Sequence, residues 1–236
     1  LNYRYTNSTK LSTQNTQTVS QSVIMIGDNA AIPAPTWRIN LRGLEKLPFV
    51  DKVMSSFSLS HSYDGRQNDT FNESDKTQTR TDGNFSPLVG VTFKTKNNIS
   101  GSLKYDLTST KTVQKKYGKT TTLDNGKNFS VRANYQHKGG FKIPFLMKDK
   151  LDNSIDFSLV FSMTGKKQLR KQKGSSDYQT ISEMRNWSLK PQVTYSFTNT
   201  VRGGFHLGIG EQYSSRTGSK KFKEFGLNAN ISLSGR

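Results

Sequence analysis

Three histidines, a glycine-rich segment and a run of cationic residues are the parts of this sequence best suited to chemistry. His61, His137 and His206 lie far apart, the chain has no cysteine, and no carboxylate stands at a spacing typical of a metal site. The segment GGFHLGIG at 203–210 contains several glycines but is not followed by a helical pattern, so it is not a dinucleotide-binding fingerprint. No nucleophile elbow or phosphate-binding loop occurs. The sequence therefore predicts no enzyme, no metal site and no cofactor.

The glycines of GGFHLGIG have a second feature, which is their parity. Gly204, Gly208 and Gly210 are all even-numbered, whereas the apolar residues around them are odd-numbered. In an extended strand these glycines would leave bare backbone on one face. Two interpretations remain open, a bend or close approach of neighbouring strands, or a space-making role in a conduit.

The segments that carry these residues alternate apolar and polar side chains with a period of two. In IDFSLVFSM, for example, Ile155, Phe157, Leu159 and further odd positions are apolar, while the even positions are mostly small or polar. Such alternation is typical of β-strands with one apolar and one polar face. About ten such segments occur. They lie around Tyr3, Trp37, Phe57, Phe85, Ile99, Phe129, Ile155, Trp187, Val201 and Phe225.

The connectors between these segments are alternately short and long. Residues 94–98 form a short connector, and the polar stretches 64–83 and 164–185 are long ones. The alternating segments are roughly nine to eleven residues long, which is the length of a strand that crosses a bilayer at a tilt. The sequence thus predicts an all-β, antiparallel up-and-down transmembrane β-barrel segment, with residues 1–35 weakly patterned and 36–236 a strand meander.

The two faces of the predicted strands differ in a way that bears on the solvent. The formal net charge is +18 and only 31% of residues are apolar, and a strongly basic chain suggests nucleic acid or an anionic surface as partner. Nucleic-acid binding is disfavoured because aromatic and basic residues fall on opposite faces rather than interleaving. If the apolar face meets lipid, the polar face lines a lumen; a soluble antiparallel sheet that binds anionic surfaces is the alternative. The predicted lumen-facing residues are Lys94, Lys104, Arg132, Lys190 and Arg202, and the predicted lipid-facing residues are Phe93, Leu103, Phe157, Leu159, Leu207 and Ile231.

Two matching segments, KLPFV at 46–50 and KIPFL at 142–146, are predicted to lie at the same edge of the sheet. An even number of predicted strands separates them, and proline interrupts a strand ladder. We interpret Pro48, Phe49, Pro144 and Phe145 as periplasmic turn anchors at the short-turn edge, because outer-membrane barrels have short periplasmic turns and long external loops. They either bury in the headgroup boundary with their lysines in water, or they form a hydrophobic plug at the rim.

The basic run KKQLRKQK at 166–173 is predicted to lie in a long loop. One interpretation is a solvated loop tip. The other is a contact with anionic lipopolysaccharide or with secreted cargo.

Four short motifs give the sequence a resemblance to a known family. They are WRINLRGL at 37–44, SFSLSHSY at 56–63, FSPLVGV at 85–91 and KNNI at 96–99. In this order they resemble the C-terminal part of the SprA (Sov) family, the outer-membrane translocons of the type IX secretion system, from about residue 35 onward.

The resemblance implies a bacterial outer-membrane protein-conducting channel that passes folded substrates to the cell surface. The chain would be the last section of a much larger barrel, and the absence of an initial Met agrees with a mature chain or fragment. The implied partners are the upstream remainder of the barrel, a periplasmic plug protein, an outer-membrane substrate-carrier barrel, secreted cargo, and lipid with lipopolysaccharide. A self-contained small outer-membrane porin or adhesin stays open as the alternative.

Overall fold

The computed structural model describes residues 2–11, 16–26, 30–115, 119–139, 153–198 and 200–232. The described strands form one antiparallel sheet of 13 strands, so the predicted all-β antiparallel fold is confirmed. In this part of the chain no helix is long and apolar enough to cross a membrane. The strands are β1 Asn2–Arg4, β2 Asn7–Leu11, β3 Thr16–Ile26, β4 Ala30–Pro33, β5 Thr36–Leu41, β6 Met54–Asn72, β7 Asp75–Thr95, β8 Ile99–Gln114, β9 Thr120–His137, β10 Ile155–Gln172, β11 Gln179–Ser196, β12 Val201–Ser214 and β13 Gly218–Ile231.

The order of strands follows the predicted meander. The series runs β1–β5–β6 and then through each consecutive strand to β13. Its members correspond to the ten alternating segments of the sequence. In the described pairings β13 is bonded to β12 on one side only, and the series is open rather than closed on itself.

The strands are longer than the sequence pattern indicates. β6, β7 and β8 have 19, 21 and 16 residues, and the stretch 64–83 is not a loop but a continued hairpin that turns between Asn72 and Asp75. The basic run at 166–173 likewise lies mostly in β10 instead of a loop. These extensions are rich in threonine, a β-branched residue that favours strands. They lack apolar alternation, which is why a hydrophobic pattern does not detect them.

The described part of the segment 1–35, predicted to be weakly patterned, contains the four strands β1–β4. β3 pairs with the C-terminal part of β6, from Thr16↔Asn72 to Ser22↔Arg66. β5 pairs with an earlier part of the same strand, from Leu41↔Leu59 to Trp37↔Tyr63. One long strand thus serves two short partners.

The end of β3 leaves the edge of β6 and, with β4, forms a hairpin that lies over β6 and β7. Val23 is fully buried there, and the backbone N–H of Met25 donates a 2.9 Å hydrogen bond to the Tyr63 hydroxyl. A Cβ atom at Gly65 would collide with the Val23 carbonyl, and one at Gly83 would lie 3.1 Å from the Met25 sulfur. The two glycines therefore create the room in which the hairpin packs.

The connection from β5 to β6 contains a 3₁₀ turn, Leu44–Lys46, and a short helix α1, Val50–Val53. The Glu45 carboxylate accepts a 3.1 Å hydrogen bond from the backbone N–H of Phe57. Backbone hydrogen bonds at Glu45 itself and at Phe57 hold the pKa of this carboxyl below its ordinary value. The charged form of Glu45 thereby fastens the connection to the start of β6.

Candidate functional site

The candidate site is the pair of opposite faces presented by β5–β13. We call them the apolar face and the polar face. Cross-strand pairing aligns side chains of one kind, as in the row Leu59↔Val91↔Leu103↔Val131↔Phe161↔Leu189↔Ile209 that crosses seven strands. Since partners in register share a face, the period-two pattern of each strand becomes a continuous surface.

The apolar face is exposed over much of its area. Leu159 and Leu207 are 40% and 42% exposed, and Ile231 is 64% exposed. Within the described ranges only Val23, Tyr63, Leu123 and Ile155 are buried apolar residues. The strands therefore do not bury their phenylalanine, leucine and isoleucine rows in a core of the kind found in soluble sandwiches.

All eleven strand positions singled out from the sequence are described, and the register places each kind on its own face. Phe93, Leu103, Phe157, Leu159, Leu207 and Ile231 lie on the apolar face. Lys94, Lys104, Arg132, Lys190 and Arg202 lie on the polar face, and all five are exposed.

The height of the apolar face can be read along β10. Its apolar residues run from Ile155 to Met163, which is about 27 Å along the strand and about 21 Å after the tilt of a barrel strand. The next positions outward are Gly165 and Lys167. This height is close to the apolar band of about 25 Å that membrane barrels present.

Aromatic rings mark both margins of this band. At the margin nearer the extended polar ends of the strands, the Tyr63 ring contacts Trp37 and Phe85, with ring centroids 4.8 Å and 4.6 Å apart. Trp187 lies in register with Met163 at the same margin. At the short-turn margin Tyr195 and Phe197 are 4.9 Å apart. Aromatic girdles at the two water interfaces are a feature of membrane barrels.

The polar face is a hydrogen-bonded surface rather than a set of isolated charges. The Lys104 ammonium lies 3.1 Å from the Asp106 carboxylate, which is only 8% exposed and also accepts hydrogen bonds from Ser86 and Asn128 at 3.2 Å. On the next strands the Ser162 and Ser188 hydroxyls are 2.9 Å apart. The buried carboxylate is thus paired with an ammonium group and accepts hydrogen bonds from neighbouring side chains.

Side chains from β13 occupy the space beside the glycines of β12. A Cβ atom at Gly204 or Gly208 would collide with Asn228 or Glu224 respectively, and one at Gly210 would collide with the Phe222 ring. Glu224 is opposite Gly208 and pairs with Lys190 of β11 at 2.9 Å. The described geometry favours the close-approach interpretation, because the bare backbone allows an ion pair to cross over β12.

The three histidines lie apart on the sheet. His61 sits beside irregular pairings of β6 and β7, where its Nδ1–H donates a 2.7 Å hydrogen bond to the Leu88 carbonyl. His137 is in register with Ile155, and His206 is on the polar face opposite Gln192. Among the residues that the structure covers, no three histidine, aspartate or glutamate side chains are grouped for a metal ion.

The predicted turn anchors are described only in part. Pro48 and Phe49 lie between the 3₁₀ turn and α1, where Phe49 is 80% exposed and its ring is 5.7 Å from the Lys52 ammonium. Pro144 and Phe145 lie outside the described residues. The flanking pairs Met54↔Thr95, Ile99↔Tyr135 and His137↔Ile155 show that both connections leave from the same edge of the sheet.

Comparison with known proteins leaves the resemblance to rest on its motifs alone. No protein-family model matches the sequence, and no curated protein matches it.

Proposed function

We propose that this chain is a membrane-spanning section of a bacterial outer-membrane protein-conducting channel, of the type IX translocon kind that its motifs resemble. The observation that carries the proposal is the continuous, exposed apolar face backed by a charged and hydroxyl-rich polar face. A surface with this composition is stable against hydrocarbon. In water, an exposed apolar patch of this size would promote association.

The polar face supports a passive conducting role. Its lysines, arginines, serines and threonines are hydrophilic side chains that hold water. Transport would then depend on the width of the passage and on gating by partners, with no catalytic group required. The periplasmic plug and the substrate-carrier barrel implied by the resemblance belong to this proposal.

The open edge of β13 supports a section of a larger barrel over a self-contained pore. Phe225 and Leu227 on this strand are 77% and 80% exposed, compared with about 40% for Leu207 on β12. β13 has 14 residues and, in the described pairings, bonds along one edge only; such an edge is a template for another strand. We propose that the remainder of the barrel supplies that strand.

Site-specific photo-crosslinking in cells tests the proposed conduit. A crosslinker at Lys104, Arg132 or Lys190 is expected to capture secreted proteins during export, whereas one at Leu103 or Leu159 is expected to capture lipid or no protein. Equal capture from both faces, or capture of cargo from the apolar face alone, would contradict the proposal.

Reconstitution separates the conduit from the smaller alternative. This 236-residue chain alone, refolded into planar bilayers, is expected to give no stable single-channel conductance, because its described strand pairings leave the sheet open. A uniform, long-lived conductance from this chain alone would instead support a self-contained porin.

A further inference from the structure

We propose that a lysine-lined cavity on the apolar side of the sheet binds the phosphorylated saccharide headgroup of an outer-leaflet glycolipid. The inference rests on the proposed membrane function and on the orientation typical of outer-membrane barrels, in which short turns face the periplasm and the longer loops face outward. It adds a specific lipid partner at the outward end of the strands. The cavity has a volume of about 600 Å³. It lies between the β3–β4 hairpin, the extended ends of β7–β10 and the turn after β10, and we call it the lysine pocket.

The lysine pocket has one cationic wall. Lys111, Lys115, Lys119, Lys171 and Lys173 all line it, and none of its described lining residues is acidic. Hydroxyl groups of Thr81 and Thr121 line the cavity as well, whereas the Thr79 hydroxyl donates a 2.7 Å hydrogen bond to the Asp69 carboxylate. Ammonium groups and hydroxyl donors together are the chemistry that binds phosphate oxygens.

The opposite wall is apolar. Met25 and Ala31 from the β3–β4 hairpin close the cavity on this side, and Val113 of β8 adds an apolar side chain to the lysine-bearing wall. The outer side of the same hairpin carries Ile26 and Ile32, which are 52% and 49% exposed. A ligand that fills this cavity therefore meets cations on one side and hydrocarbon on the other, which indicates an amphiphilic anion.

The lysine pocket belongs to the same side of the sheet as the apolar face. Thr79, Val113, Thr121 and Lys171 are mutually in register, and their odd-numbered parity on each strand continues that of the band, for example Phe85. A ligand in this cavity is consequently continuous with lipid that covers the apolar face. Cargo that passes along the polar face lies behind the sheet.

The position along the strand decides the size of the headgroup. The pocket residues lie four to eight positions beyond the Phe85↔Leu107 row, about 14–27 Å along the strand and about 11–21 Å in height. The headgroup layer of an ordinary phospholipid extends only about 5–8 Å beyond the hydrocarbon. A phosphorylated oligosaccharide above its acyl chains spans the required distance.

Lipid binding to the full gene product in nanodiscs tests the inference. We compare Lys115→Gln/Lys171→Gln/Lys173→Gln with the control Arg66→Gln/Lys166→Gln/Arg170→Gln, which removes three exposed cations from the polar face at a similar height. The probe is rough lipopolysaccharide with core phosphates, and bound lipid is counted by native mass spectrometry. The lysine-pocket variant is expected to bind about 100-fold more weakly, since each lysine near an anionic lipid surface contributes about fivefold, while the control keeps its affinity.

The other arms separate the competing explanations. Equal losses in both variants would reduce the effect to general electrostatics and overturn the inference. An equal loss with phosphatidylglycerol, or displacement by millimolar inorganic phosphate, would overturn the assignment to a glycolipid. Failure of the unsubstituted protein to enter nanodiscs would refute the proposed membrane function itself, whereas insertion without selective glycolipid binding would refute this inference alone.

Discussion

Leu159→Arg separates a lipid-facing surface from a water-facing one. Leu159 lies midway along the apolar part of β10, about 14 Å along the strand from both Ile155 and Met163. Arginine at the bilayer midplane of a barrel costs about 2–4 kcal/mol in folding free energy and only about 0–1 near an interface. Leu159→Arg is therefore expected to reduce the folding equilibrium constant by about 30- to 1000-fold.

Met163→Arg is the matched control for depth. Leu159 and Met163 are similarly exposed, at 40% and 50%, and share a strand and a face. In water, substitutions at two such positions change the free energy of unfolding by similar small amounts, about 0.5 kcal/mol or less. Ser158→Arg, on the polar face opposite Asn134 and Gln192, is the control for face and is expected to be mild.

The assay is urea-titrated folding of the full gene product into lipid vesicles, with the folded fraction read from heat-modifiable gel mobility. The account predicts a large loss for Leu159→Arg and small losses for the other two variants. Equal stability of the Leu159 and Met163 variants would refute the assigned depth. Equal stability of the Leu159 and Ser158 variants would refute the assigned faces.

Three further predictions concern the parts of the sheet outside this band. Gly65→Ala is expected to lower stability by about 1–3 kcal/mol through overpacking against the β3–β4 hairpin, whereas Gly165→Ala, which has open space around its Cβ position, is expected to be neutral in the same urea titration. Burial alone would raise the pKa of Asp69, but hydrogen bonds from Lys76, Thr79 and Gln67 hold it below its usual value; the β6–β7 hairpin end is therefore stabilised above about pH 4 and loses this stabilisation as the pH falls through the lowered pKa. The protection factor for amide hydrogen exchange at residues 72–76, corrected for the intrinsic exchange rate at each pH, is expected to fall at acid pH. Asp69→Asn is expected to lower this protection factor at neutral pH and to weaken its acid response; a variant with unchanged protection at both pH values would contradict the prediction.

The strands of the apolar band could be predicted from the sequence because one face of each strand is apolar, whether that face packs in a protein interior or contacts lipid. Leu88 breaks the alternation in FSPLVGVTF, and the structure explains it by a shift in register between Phe85 and Val89. A bulge of this kind inserts residues without changing the face of those beyond it. The pattern before and after Leu88 was therefore interpretable although the residue itself was not.

The extended polar ends of the long strands and the β3–β4 hairpin could not be predicted in the same way. On the N-terminal side of Phe85 both faces of β7 carry polar residues. The alternation of apolar side chains therefore disappears while the hydrogen-bonded ladder continues. The abundant threonines were the available signal. In β3 the run VIMI at 23–26 is apolar on both sides because one side packs on Tyr63 and Gly83 and the other faces outward. Its place in the fold depends on contacts distant in sequence.

Lipid accessibility of the two faces tests the central claim most directly. The chain has no cysteine, so single cysteines at Leu103, Leu159 and Leu207 can be compared with cysteines at the adjacent Ser102, Ser158 and His206. In native-like bilayers, fluorophores at the three leucine positions are expected to be quenched by brominated acyl chains, and thiols at the three adjacent positions to react with a water-soluble reagent. Quenching that does not alternate along the strands, or that selects the adjacent positions, would contradict the assignment of the apolar face to lipid.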